Sequence, residues 1–373
     1  MIYFDNAATT FPKPRKVLNA CFECLRKYCG NPGRSSHKLS LKSSEEIYLA
    51  RETVASFFGI DDAESVVFTH NATYALNMAI KTTVKDESTV ITSDMEHNAV
   101  VRPLYKLQRT RNISVSQYDS DKPIEDELKR LSSLKPACII SNITSNVSGK
   151  TVSLKSLSLS KEKMKIPLII DASQAAGHIR INAKETPFDV LCAPAHKSLF
   201  GIQGCGFTIF SDKRERESFI EGGSGYESIN SEMPKSLPER FEAGTCAVAS
   251  IVALRHGIEF INDVGLCEIN KKLRQLNEKA ILILSSFKKL NIVSEGNGII
   301  SFYSSKIPSH VISNELDKYG ICTRSGLHCS PSIHRKLGTI NGGTVRLSFS
   351  FFNSLSELDI FYKKMKGITS ALL

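Results

Sequence analysis

An α/β fold with a large, mainly parallel seven-stranded sheet, followed by a smaller C-terminal α+β domain, is what this 373-residue sequence predicts. Three observations carry the prediction. Short, nearly continuous apolar and β-branched runs recur through the first two thirds of the chain. Amphipathic stretches of helical period lie between several of them, as expected when helices cover both faces of a parallel sheet. Beyond about residue 264 the texture changes to a long helical pattern followed by closely spaced strands.

In chain order, strands are expected at SVVFT (65–69), STVITS (88–93), NISVSQY (112–118), ACIISN (137–142), PLIIDAS (167–173), FDVLCAP (188–194) and GFTIF (206–210). The periodicity predicts helices over 73–81, 98–109 and 124–134, and the segment holding CFEC at 21–24 also reads as a helix. These elements assign a large domain to residues 15–255. A helical pattern covers 264–289; NIVSE, IISFYS, ICTRS and TVRLSFS then read as strands, with helices near 309–319 and 356–367. The small domain is therefore expected over 256–373, with the N-terminal segment 1–14 packed on it. With no internal repeat or low-complexity linker, the two parts are expected to pack closely, leaving a ligand cleft between them.

Composition narrows the class. A hydrophobic fraction of 41% and a charged fraction of 23% are those of an ordinary globular protein. Apolar stretches such as AILILSSF are far too short to span a bilayer, and MIYFDNAATTFPKP lacks the basic start and apolar run of a secretory signal. The expected location is the cytoplasm, where the ten cysteines are reduced thiols. CFEC, with Cys29 following, has no second Cys/His pair at finger-like spacing, which disfavours zinc. The net charge of +10 is scattered, and KRER at 213–216 is interleaved with acid, as on a solvated face. Neither a membrane nor a nucleic acid is expected as a partner.

Reactive residues fall at the carboxyl ends of the expected strands, where ligands sit in open α/β sheets. Asp171 closes PLIID, with Gln174 one turn on; His196 and Lys197 follow FDVLCAP; His97 follows VITSDME. Asn71, Ala72 and Thr73 open a helix, whose free amides suit a phosphate. Singly, each has an ordinary structural reading: a helix cap, a surface lysine, a satisfied polar residue. Jointly, an aspartate, a strand-end lysine, a histidine and a phosphate cradle match the needs of pyridoxal phosphate.

At these residues the chain resembles the class V, fold-type I pyridoxal-phosphate enzymes, and within them the cysteine desulfurase/selenocysteine lyase family. The similarity runs nearly end to end, through YFDNAATTFPKP (3–14), GNPGRSSH (30–37), TSDMEHNAV (92–100), SNVSG (145–149), IDASQAAGH (170–178), PAHK (194–197), RFEAGT (240–245) and RSGLHC (324–329). The resemblance implies pyridoxal 5'-phosphate as cofactor, with Lys197 as its Schiff-base lysine and Asp171 as partner of the pyridine nitrogen. It sets Gln174 and Asn146 near the ring hydroxyl, His97 against the ring, and Ala72, Thr73 and His196 at the phosphate. Thr245 corresponds to a residue that reaches the neighbouring subunit's phosphate, implying a homodimer with shared active sites. Arg346 corresponds to the clamp for the substrate carboxylate, a task suited to a bidentate guanidinium. Cys329 would be the nucleophile that takes sulfur from L-cysteine as a persulfide and passes it to an acceptor protein or thiol. Arg324 and His328 would favour its thiolate, and Asn146 and His37 would adjoin the substrate.

Several positions depart from the family pattern. Pro194 and Ala72 replace hydroxyl residues at the phosphate, Leu327 stands where a second histidine is common, and Lys150 and Cys246 differ from typical neighbours. The runner-up functions are selenocysteine lyase, another carbon–sulfur lyase and an aminotransferase, which share the cofactor machinery. A basic nucleic-acid binder on a retired enzyme fold is the contrasting class. Retention of Lys197, Asp171 and His97 together argues against it.

Overall fold

The structure, a computed structural model, describes residues 1–33 and 35–372; Arg34 of the GNPGRSSH motif lies outside the described residues. Seven strands form one sheet in the order Val66–Thr69, Gly206–Phe210, Val190–Pro194, Leu168–Asp171, Cys138–Asn142, Thr89–Ser93, Ser114–Tyr118. The last five of these run parallel. Gly206–Phe210 is antiparallel to both its neighbours and accounts for the exception in an otherwise parallel sheet.

Alternation along each strand divides the interior in two. Val67, Val90, Ile140, Ile169 and Val190 pack with helices Ala72–Thr83 and Asn98–Thr110. Phe68, Ile91, Ile139, Ile170 and Leu191 belong to the other cluster, with helices Lys38–Phe57, Ile124–Ser132, Leu154–Met164 and Val248–Val264. Burial of both sheet faces explains why these strands read as unbroken apolar runs.

Two of those helices escape sequence periodicity for a reason visible in their burial. Lys38–Phe57 buries Ser40, Ser43, Glu46 and Arg51, and Leu154–Met164 buries Ser156, Ser158 and Ser160, so polar and charged residues stand where an apolar stripe would be sought. The helix expected over 264–289 is Leu266–Ser285, and a further helix that the sequence reading did not name, Val248–Val264, runs directly into it. Gly265 separates the two at φ 86°, a conformation that glycine adopts without steric cost.

The second sheet has four antiparallel strands in the order Arg324–Gly326, Thr344–Ser348, Ile299–Tyr303, Asn291–Gly296. The strand expected at ICTRS is split: Ile321–Cys322 turns away to pair in parallel with Ile2–Tyr3. The chain start is thereby fastened to the C-terminal strands, and Phe4 packs edge-on against Phe349 and Phe361 at 5.2 and 6.2 Å. No helix among the described residues is long and apolar enough to cross a membrane.

Candidate active site

A cleft opens at the carboxyl ends of the parallel strands, where ligands sit in open α/β sheets. Asn71, Ala72, Thr73, His97, Asn146, Asp171, Gln174, Pro194, His196 and Lys197 all line it. Asn142, Thr144 and Ser173 line it too, and sequence reasoning missed them. Asn142 ends its strand, so the strand-end rule that found Asp171 could have found it.

Each side chain is held by local chemistry. Asp171 is buried at the end of its strand and accepts a 2.9 Å bond from the Ser173 amide. Asn71 caps helix Ala72–Thr83 by accepting from the Tyr74 amide at 2.9 Å. The first amides of that helix have no partner within it, and Ala72 and Thr73 face the cleft. Gly206 lets the neighbouring strand approach this turn: a Cβ there would lie 2.6 Å from the Asn71 carbonyl carbon and 2.9 Å from the Ala72 nitrogen. Gly206→Ala is therefore expected to displace the turn, cost about 1–3 kcal/mol of stability and weaken anion binding there, measured by urea unfolding and by cofactor reconstitution of the apoprotein.

His97 caps helix Asn98–Thr110, accepting from the Ala99 amide through Nδ1 at 3.0 Å. Desolvation lowers its pKa to about 4, with Asp171 opposing and Lys197, Arg324 and Arg346 adding to the shift, so the ring is neutral. His196 is likewise lowered to about 4, first by burial, and its Nδ1 is buried without a partner. Its carbonyl is held by the Thr10 amide at 3.1 Å and by Lys13 Nζ at 2.7 Å. Lys197 is lowered from 10.5 to about 8, mainly by desolvation, with Asp171 opposing and Arg346 and Arg324 reinforcing. An amine so placed is available as a free base near neutral pH.

The cysteine loop joins this cleft from the far end of the chain. Asn146 donates from Nδ2 to the His328 carbonyl at 2.7 Å and accepts at Oδ1 from Ser330 Oγ at 2.7 Å. The Asn98 amide, next to His97, donates to the Cys329 carbonyl at 2.7 Å. His328 and Cys329 both take left-handed backbone conformations, at φ 49° and 60°, which non-glycine residues adopt at a cost. The loop is thus held with the Cys329 side chain exposed and within electrostatic range of Lys197.

Four expected site residues stand elsewhere or act otherwise than expected. His328 does not supply positive charge beside the thiol: it is buried, bonded through Nε2 to Thr344 at 3.0 Å, and held well below its usual pKa by desolvation and by Arg346, His334 and Arg324. Arg324, on strand Arg324–Gly326 just ahead of the loop, is left as the cation of the pair. His37 is exposed and caps helix Lys38–Phe57 through a 3.2 Å bond from the Ser40 amide, rather than lining the cleft. Thr245 is exposed in a separate pocket with Glu242 and Cys246, away from the cleft of its own chain. Arg346 lies behind the cleft, fully buried between Asp5 and the Asn146 carbonyl.

Glu96 is a further participant that sequence inspection passed over. It is buried beside Asp171, accepts from Ser93 Oγ at 2.5 Å and the Asn142 amide at 2.9 Å, and leaves Oε2 without a partner. Desolvation raises its pKa from 4.5 to about 8, against the hydrogen bonds from Ser93 and Asn142. The folded state therefore binds more protons than the unfolded one between these values, so stability falls as pH rises from 4.5 towards 8. Glu96→Gln should flatten that fall, worth up to roughly 5 kcal/mol, in urea unfolding at pH 5 and pH 8.

Comparison with known proteins bears on the same residues. The sequence model of a family described as "Aminotransferase class-V" matches residues 2–361. A "Probable cysteine desulfurase" of Borreliella burgdorferi is 30% identical over all of this chain and 92% of the relative. One from Methanothermobacter thermautotrophicus is 28% identical over 98% of this chain and 94% of that protein. Among solved structures, the apo cysteine desulfurase of Thermococcus onnurineus superposes with a TM-score of 0.91 at 27% identity, covering all of this chain and 95% of that one.

Proposed function

The chain belongs to the class-V aminotransferase family, and from that premise we propose that it is a pyridoxal-phosphate-dependent cysteine desulfurase that moves sulfur from L-cysteine onto Cys329. The observation that carries the reading is the convergence of the Lys197 amine, the Asp171 carboxylate and the Cys329 loop around His97 and Asn146.

The residues fit the cofactor. The free amides at Ala72 and Thr73 and the orphaned His196 Nδ1 suit a phosphate, and the close approach at Gly206 leaves the turn no room for a side chain there. Pro194 and Ala72 bring no hydroxyl, while Ser173 and Thr73 bring one each to the lining. Lys197 would hold the aldehyde, Asp171 the pyridine nitrogen, and His97, Gln174 and Asn146 the ring and its hydroxyl. When bound, pyridoxal phosphate supplies an electron sink adjoining the substrate α-carbon.

The chain's own residues do the rest. Lys197 Nζ, with its lowered pKa, takes the α-proton. The Cys329 thiolate attacks the substrate sulfur; the new S–S bond forms as the C–S bond breaks, the β-carbon keeps the electron pair and is protonated, and return of the α-proton from Lys197 gives alanine. Arg346, with an unpartnered buried Nε, would bind the substrate carboxylate. Thr245, which does not line the cleft of its own chain, would serve the phosphate of a second subunit in a homodimer. The exposure of Cys329 leaves the persulfide open to an acceptor protein or thiol. Ten free thiols suit a reducing cytoplasm.

The test is incubation of the purified, cofactor-loaded protein with L-cysteine and a reductant, with alanine and sulfide quantified over many turnovers. Equal amounts of the two products are expected; a parallel reaction with L-selenocysteine measures which chalcogen is preferred. Absence of alanine from both substrates would remove the reading.

A further inference from the structure

Arg346 is a charged side chain only 1% exposed, on strand Thr344–Ser348. Its guanidinium carries five N–H donors. Nη2 donates to Asp5 Oδ1 at 2.8 Å, Nη1 donates to the Asn146 carbonyl at 3.0 Å, and Nε is buried with no partner. Arg324 stands directly opposite in the antiparallel pair, so two like charges share one sheet face, which is unfavourable without anions. Of these two cations, Asp5 pairs with Arg346. One positive charge remains, matched to a single further carboxylate.

Asp5 is not free to step aside for that ligand. It bridges to Ser348, two residues along the strand from Arg346. The flanking backbone is fastened there too: Ser348 N donates to the Phe4 carbonyl at 2.7 Å, and Asn6 Nδ2 donates to the Ser348 carbonyl at 2.9 Å. The Asp5 carbonyl accepts from the Ala8 amide at 3.1 Å and from Tyr3 Oη at 3.2 Å. Removing the aspartate from Arg346 would require unpicking the chain start from the C-terminal strands.

We propose that Asp5 is a positioning residue for substrate recognition: it fixes the Nη2 end of Arg346 so that the unpartnered Nε edge meets the carboxylate of an α-amino acid, which binds beside Asp5 and not in its place. This rests on the reading of Arg346 as the carboxylate-binding group. A resident competitor makes the opposite demand, since removing it would tighten binding.

The test titrates the holoenzyme with L-alanine and with ethylamine, which offers the same amine without a carboxylate, reading cofactor absorbance. Asp5→Asn is expected to raise the Kd for L-alanine about tenfold or more, the size of a lost charged hydrogen bond. The Kd for ethylamine should stay within about twofold, which also establishes that the cleft has folded. KM for L-cysteine should rise while kcat changes little. Unchanged or tighter L-alanine binding overturns the proposal, as does equal weakening of both ligands, the mark of a merely structural role. Arg346→Lys is the control: it should abolish discrimination between the two ligands, and if discrimination persists the carboxylate seat lies elsewhere and the role of Asp5 falls with it. Failure of the desulfurase reading shows differently, as absence of alanine from L-cysteine in the wild type with the L-alanine titration intact.

Discussion

Cys329→Ser is expected to reduce turnover of L-cysteine by at least about a hundredfold while leaving cofactor binding and its absorbance unchanged. The serine hydroxyl is close in size but is not an anion near neutral pH and cannot carry a transferable sulfur. The loop geometry should survive, because Asn98 and Asn146 grip the backbone carbonyls of residues 329 and 328 rather than the thiol. The thiol is exposed, so no core contact is lost. Steady-state release of alanine and sulfide is the measurement, with mass spectrometry of the wild type expected to show a sulfur increment on Cys329. Retention of most of the rate by the serine variant would identify an ordinary β-elimination enzyme, in which no protein thiol takes part.

Lys197→Met should remove covalent attachment of the cofactor and depress turnover by a factor on the order of 10² to 10⁴, the range of a lost acid–base group. Borohydride reduction followed by intact-mass measurement reads the first effect directly: wild type keeps the added mass and the variant does not. The same substitution has a stability signature in the apoprotein. Burial lowers the Lys197 pKa from 10.5 to about 8, so the folded state disfavours the charged amine. That penalty is fully present below about pH 8 and fades as pH rises to 10.5. The methionine variant should therefore be the more stable apoprotein below pH 8, by up to roughly 3 kcal/mol, and the two should converge at high pH. A pH-independent difference would mean that packing, not charge, distinguishes them.

The position of Lys197 at a strand end was legible because strand Val190–Pro194 is buried on both faces and stops where polar residues begin. The same logic exposed Asp171, whose strand is four residues of near-continuous burial. Helix Lys38–Phe57 was not legible, since the serines and charged residues it buries carry no periodic signal. Glu96 was overlooked because a glutamate beside a histidine looks like surface, and only its enclosure next to Asp171 gives it an altered acidity.

The succession of strands along the chain, the residues at their carboxyl ends and the chain of motifs from YFDNAATT to RSGLHC were determined by the sequence alone, because apolar period and residue type are local properties. The tertiary structure alone decided which of those residues meet. It joined Asn146 to the loop of Cys329, Asp5 to Arg346 and Ile2–Tyr3 to Ile321–Cys322, contacts between residues far apart in the chain. It also decided charge: His328 is neutral and Lys197 is readily deprotonated because burial, which no single residue encodes, sets the local cost of holding a proton.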